Sequence, residues 1–149
     1  MRAVIQRVTQ SSVVVNQTLT GEIGRGLLVL LGIEKEDTAA DLKYTFEKTV
    51  GLRVFEDEHE KMNLSLLDIS GQLLVVSQFT LLGDVRRGKR PSFGDAASPE
   101  IANRMYEEFV AMARAEGIDV QTGTFQADMA VHLINDGPVT ILIDSRKKF

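Results

Sequence analysis

The chain has 149 residues, 44% apolar and 26% charged, with a net charge of −4. That is enough for one domain with a real core, expected to span residues 1–149, and too little for two. Without a single cysteine it has no disulfide, thiol nucleophile or zinc–thiolate site, and its acidity argues against coating a nucleic acid with the whole surface.

Residues 2–15 and 18–23 read as strands, with Asn16-Gln17 a turn between them. Gly24-Arg25-Gly26 leads into Leu27-Leu28-Val29-Leu30-Leu31, a strand with no polar face and therefore buried on both. Thr38 and Asp41 have capping-box spacing, and Leu42, Phe46, Thr49 and Val50 form a helical stripe that Gly51 ends. A short strand is expected over 52–55, then an acidic surface turn over 56–60, a turn at Ser70-Gly71, and a long strand over 72–82. The basic, turn-rich stretch 83–97 has the composition of a mobile loop. Ser98, Pro99 and Glu100 are suited to cap and open a second helix, whose face is Ile101, Met105, Phe109, Met112 and Ala113 and whose stop is Gly117. Two further strand-like runs, 129–134 and 139–144, flank Asn135-Asp136-Gly137-Pro138, which reads as a hairpin. About eight strands and two helices, grouped rather than alternating, specify an α+β class. No apolar run is long enough to span a bilayer. The first seven residues reach a glutamine and an arginine before a signal-peptide core could form. A cytoplasmic protein with no membrane partner is expected.

Chemistry-bearing residues are sparse. His59 and His132 share no metal-ligand spacing, and each reads as structural. No nucleophile elbow, phosphate loop or dinucleotide fingerprint is present, and no metal or cofactor is expected. Ser77-Gln78-Phe79-Thr80 follows the apolar run Leu73-Leu74-Val75-Val76, so its hydroxyls and amide emerge where a strand leaves the core. Ser77 and Thr80 either bond to nearby backbone or face a ligand. Alternation puts Ser77 with Phe79 and Gln78 with Thr80 on opposite faces unless a bulge brings them together, and Phe79 reads by composition as core. Gly137-Pro138 is either an ordinary turn or a cis peptide, which X–Pro bonds adopt at low cost, with bare carbonyls to present. Arg86, Arg87, Lys89 and Arg90, with Arg146-Lys147-Lys148 further on, are either solvated or contact phosphates.

These two segments carry a resemblance. Ser77-Gln78-Phe79-Thr80-Leu81 and Asn135-Asp136-Gly137-Pro138-Val139-Thr140, in this order and at this length, resemble the motifs of the D-aminoacyl-tRNA deacylases of the widespread bacterial and eukaryotic type. Ile5-Gln6-Arg7-Val8, the glycine-rich region 21–32 and Arg90-Pro91-Ser92-Phe93 extend it to about Asp144. Only 145–149, read as a flexible basic tail, lies outside. An animal-type relative carries Pro-Gln-Ala-Thr at the first motif, from which Ser77 and Phe79 depart.

The resemblance implies an α+β fold of mainly antiparallel and mixed sheets, a barrel-like core and two main helices, assembled as a homodimer. It implies hydrolysis of the ester joining a D-amino acid to the 3′ end of tRNA, and of glycine mischarged on alanine tRNA. Gly137 and Pro138, in a cis bond and inserted into the other subunit's site, would crowd an L-side chain and so select chirality. Catalysis is assigned either to Thr80 as nucleophile or to the terminal ribose 2′-OH. No histidine or carboxylate flanks Thr80 to activate it, which favours the 2′-OH. Ser77 and Gln78 would then position ribose or ammonium, and amides around Phe79 and Thr80 would stabilise the oxyanion. Arg7 and Asn135 are supporting residues, Arg7 by bracing the Gly-Pro turn, and the 86–90 cations are the tRNA contacts. The competing reading is a non-catalytic RNA-binding module that uses this basic loop.

Overall fold

The computed structural model describes residues 1–149. Its elements are β1 (Arg2–Val15), β2 (Thr18–Ile23), β3 (Gly26–Gly32), α1 (Ala39–Gly51), β4 (Phe55–Glu56), β5 (Met62–Leu64), β6 (Gln72–Ser77), a 3-10 turn (Phe79–Leu82), α2 (Pro99–Ala115), β7 (Asp119–Thr122) and β8 (Ala130–Asp144). Asn16 and Gln17 both take positive φ, 47° and 65°, the geometry whose twist matches a two-residue hairpin.

The main sheet runs β2-β1-β3-β6-β7, with β8 paired to β1. β3, β6 and β7 are mutually parallel, while β1 is antiparallel to β2, β3 and β8. Gly21 of β2 closes onto the end of β7, where a Cβ would lie 3.2 Å from the Thr122 amide nitrogen. The sheet thus curls into a nearly closed, barrel-like form.

Side-chain alternation divides its two faces. Leu27, Val29 and Leu31 of β3, with Leu73 and Val75 of β6, join Ala3 and Ile5 against Leu42, Phe46 and Val50 of α1 and Met105, Phe109 and Val110 of α2 in the larger core. Leu28, Leu74 and Val76 point the other way and pack with Val8, Val13 and Ile23 inside the curl. β3 therefore has both faces covered, as its unbroken apolar run requires. Each fully buried side chain of this kind contributes about 1.5–3 kcal/mol.

The expected capping box is present: the Thr38 amide donates to the Asp41 carboxylate at 2.9 Å. At α2, Pro99 takes the first position, but the Ser98 hydroxyl makes no capping bond. Gly117, with φ +81°, follows the helix end.

Three local expectations are corrected. The strand expected over 72–82 stops at Ser77 and winds into the 3-10 turn. The Gly-Pro segment is not a hairpin, because β8 keeps one direction along β1 from Ala130 to Asp144. Asn135 faces Val8 and Thr140 faces Gln6, so 136–139 bulge out opposite Arg7 alone. The basic tail is not free: Arg146 pairs with Glu36 at 3.1 Å and Lys148 with Glu34 at 3.1 Å. Two of its cations are thereby committed to carboxylates rather than phosphates.

Candidate active site

A cavity of about 930 Å³ opens at the end of β6, on the inner face of the curl. Apolar side chains from β3 and β6 (Leu28, Leu30, Val76) form its floor, and Phe93, Phe125 and Met129 contribute to its walls. Ser77, Gln78, Phe79 and Thr80 all border it. Strict alternation would have sent two of them away. The 3-10 turn brings them together, because its tight winding abandons the period of two as the chain leaves the sheet.

Gln78 marks the transition. Its amide still donates to the Leu31 carbonyl at 2.8 Å in the manner of the sheet, while its own carbonyl accepts from the Leu81 amide at 3.3 Å. The first amides of the turn, those of Phe79 and Thr80, have no partner within it. The turn seats directly on Gly32, where a Cβ would lie 2.6 Å from Leu82 Cδ2 and 3.0 Å from the Gln78 carbonyl. Thr80 Oγ1 lies 3.2 Å from the Gln78 side-chain nitrogen, which donates and cannot take a proton. Phe79 is not core, as its composition had implied: it is 55% exposed and meets Phe93 edge-on with ring centroids 5.0 Å apart. Asp128 is the one ionisable residue bordering the cavity. Neither histidine borders it.

Gly137 and Pro138 stand elsewhere. They sit exposed at the tip of the β8 bulge, joined by a cis peptide, and do not border the cavity of their own chain. The base of the bulge is closed by Asn135, whose side-chain nitrogen donates to the Arg7 carbonyl at 3.0 Å and the Val139 carbonyl at 2.9 Å. Arg7, only 5% exposed, holds its side. Nε donates to the Asp136 carbonyl at 3.1 Å and lies 3.2 Å from the Asp136 carboxylate, while Nη1 donates to the Val54 carbonyl at 2.6 Å. A Cβ on Gly137 would sit 2.9 Å from Arg7 Nη2. Glycine is required there both for that approach and for φ +127°.

β8 is unpaired along its outer side, and Leu133, Ile134 and Leu142 are exposed on it. A long open edge of this kind ordinarily needs a cover.

The basic loop flanks the cavity through Phe93 and is cross-linked by the Asp84–Ser92 bridge. Arg86 is held by Asp84 at 2.7 Å, which keeps that carboxyl well below the usual range and raises the guanidinium above its own. Arg87, Lys89 and Arg90 are exposed and in no ion pair.

Sequence reasoning did not single out Gln6, Phe93 or the 125–129 segment as site residues, although all border the cavity. Gln6 and Phe93 stand inside segments that carried the resemblance; 125–129 has no periodicity or motif that marks it.

The family model described as D-Tyr-tRNA(Tyr) deacylase matches residues 4–144. D-aminoacyl-tRNA deacylases of Clostridioides difficile and Koribacter versatilis are 58% and 59% identical over 149 residues, all of each chain. Among solved structures, the c-Myc DNA unwinding element binding protein superposes with a TM-score of 0.91 at 43% identity, over 97% of this chain and 98% of that one. A probable eukaryotic D-amino acid tRNA deacylase superposes at 0.80 with 20% identity, over 95% and 97%, a likeness of fold. With a family match across the strands that build the cavity and the bulge, and full-length relatives at this identity, the chain belongs to the D-aminoacyl-tRNA deacylase family of hydrolases.

Proposed function

We propose that this protein hydrolyses the ester of D-aminoacyl-tRNA, and of glycine mischarged on alanine tRNA, as a cytoplasmic homodimer in which each Gly137-Pro138 turn enters the partner's cavity. The observation that carries this reading is the separation of the two motifs. The polar segment 77–80 lines a cavity, while the turn projects from an open strand edge away from it. Pairing through β8, with Leu133, Ile134 and Leu142 covered, would complete each site with a turn from the other chain. Its carbonyls would crowd an L-side chain and leave a D-substituent, or none, room.

The chemistry favours the ribose 2′-OH over Thr80. Thr80 has an amide donor for a neighbour, not a base, whereas a 2′-OH beside the ester is already positioned. The protein then needs to orient it and to stabilise the developing oxyanion, a task that falls to the amides of Phe79 and Thr80, residues that border the cavity. Ser77 and Gln78 orient the ribose or the ammonium. Arg87, Lys89 and Arg90 contact tRNA phosphates.

The test is hydrolysis of matched D- and L-tyrosyl-tRNA by the purified protein, with a Gly137→Ala/Pro138→Ala variant alongside. Cleavage of the D-ester alone, relaxed or lost in the variant, is expected. Binding of both without turnover would favour the RNA-binding module instead.

A further inference from the structure

The turn that carries Phe79 and Thr80 is held at its far end by a residue outside the cavity. Arg2, on β1, donates from Nη1 to the Leu81 carbonyl at 3.0 Å. Its Nε is fixed by the Asp144 carboxylate at 3.2 Å and lies 3.6 Å from that of Glu34. Both acids are buried, with side-chain exposures of 0% and 4%, whereas the arginine is 26% exposed. The guanidinium is therefore aimed by two fixed anions, and its planar fork leaves a separate N–H for the turn. Arg2 and Gly32 are direct partners in the β1–β3 register. The bare Gly32 seats the turn, and the residue opposite it latches the turn's Leu81 carbonyl.

Resting on the deacylase reading, we infer that Arg2 is a positioning residue: it sets the pose of the Phe79 and Thr80 amides without touching substrate. Asp144 ends the strand that carries the Gly-Pro bulge, so this one side chain also ties the turn at the cavity to the strand whose bulge is proposed to enter the partner's cavity. A latch of this kind acts on orientation in the reacting state more than on tRNA binding. Its loss lowers kcat and leaves KM nearly unchanged.

The experiment compares Arg2→Gln, Arg2→Lys and Arg146→Gln by steady-state kinetics on D-tyrosyl-tRNA well below the melting temperature. It is accompanied by the backbone amide NMR shifts of Phe79 and Thr80 in the free protein. Arg146 shares Glu34 with Arg2, at 3.6 Å, but its hydrogen bonds go to Asp144 and Glu36 and not to the turn. Arg2→Gln is expected to lower kcat about tenfold, the scale of one charge-assisted bond, with KM within twofold and both amides shifted. Arg2→Lys recovers part of the loss, and if Arg2→Gln does not fold, its severalfold deficit carries the test. Arg146→Gln keeps kcat and both shifts. An unchanged kcat in Arg2→Gln, equal losses in Arg2→Gln and Arg146→Gln, or unmoved Phe79 and Thr80 amides would overturn the inference. A wild-type protein inactive on D-esters would refute the deacylase reading alone, and the amide shifts would still decide the role of Arg2.

Discussion

Gly137→Ala places a methyl group where the bulge has no room for one. The new carbon would lie 2.8 Å from Val139 Cγ2, 2.9 Å from Arg7 Nη2 and 3.2 Å from the Val139 amide nitrogen. The guanidinium cannot withdraw freely, because Val54 and Asp136 hold it on two sides. The backbone is also unsuitable for an L-residue: φ is +127°, and such a conformation costs of order 1–3 kcal/mol without glycine. Adding the contacts, the bulge in its present shape would lose about 2–4 kcal/mol. It is exposed at the tip, so part of this is relieved by movement of the tip, which displaces the carbonyls proposed to screen chirality. Two measurements follow. The urea midpoint is expected to fall by an amount equivalent to about 2 kcal/mol, and the ratio of D- to L-tyrosyl-tRNA hydrolysis is expected to drop at least tenfold. Repeating the substitution in an Arg7→Met background should recover about 1 kcal/mol, since the guanidinium part of the clash is gone. If Gly137→Ala costs under about 0.5 kcal/mol and the D-to-L ratio holds, neither the close approach nor the screening role is right.

Thr80→Ala is expected to keep activity within about tenfold, whereas a substrate ending in 2′-deoxyadenosine should not be cleaved; single-turnover assays of both decide between the ribose and the threonine. Replacing Arg87, Lys89 and Arg90 together by alanine should raise KM for tRNA at constant kcat and flatten the slope of log affinity against log salt by roughly 2. Arg86, bound to Asp84, should contribute little to that slope. Asp41 titrates at about 2 in the folded chain, against 3.8 for the free group. Burial pushes it up, but hydrogen bonds from Ser145 and Thr38 and the nearby N-terminal ammonium outweigh that. A lowered carboxyl stabilises above its unfolded pKa and loses that contribution as pH falls through the folded one. Thermal melts should therefore steepen in their pH dependence between about 4 and 2, and Asp41→Asn should flatten that window.

Local patterns in the sequence carry most of the fold. The capping-box spacing at Thr38 and the stripe on α2 encode helices through residues within a turn or two of each other, and the unbroken apolar run 27–31 marks a strand covered on both faces. The misreadings have a common cause. Whether 135–138 reverses the chain depends on the partner strand: Gly and Pro mark a departure from the ladder, and the pairing that keeps β8 straight lies at the other end of the sequence, in β1.

 The strand end at Ser77 was misplaced for a similar reason. Leu81 and Leu82 continue the apolar run, but they pack onto Gly32 through a 3-10 turn that only the bare glycine admits. Of the residues singled out in the sequence, Ser77, Gln78 and Thr80 border the cavity, and Gly137, Pro138 and Arg7 build the bulge. The apolar wall formed by Phe93 and 125–129 was not legible, since its residues meet only when the sheet curls. Nor was the docking of the tail, because Arg146 and Lys148 find their carboxylates more than a hundred positions away.

β1 is where a chain's own cavity is coupled to the turn it is proposed to lend its partner. Adjacent residues on it point to opposite faces: Gln6 borders the cavity, while Arg7 braces the Gly-Pro bulge and reaches Val54 behind the sheet. Arg2 shares the face of Gln6 by the same alternation, and from there it holds the turn of Phe79 and Thr80. A slip of one residue in the pairing of β1 would exchange these faces, placing a guanidinium in an apolar cavity and an amide against the bulge. The register is protected by the core residues between them: Ala3 and Ile5 lie in the helix-side core and Val8 inside the curl, none more than 1% exposed. The same apolar pattern that folds the strand therefore keeps the cavity and the turn proposed to screen chirality in fixed relation within each chain. A cavity-creating substitution such as Ile5→Ala should disturb both, costing about 2–5 kcal/mol of stability and lowering turnover and chiral discrimination together. If turnover fell while the D-to-L ratio stayed intact, the cavity and the turn would be independent, and β1 would be a scaffold for each rather than the link between them.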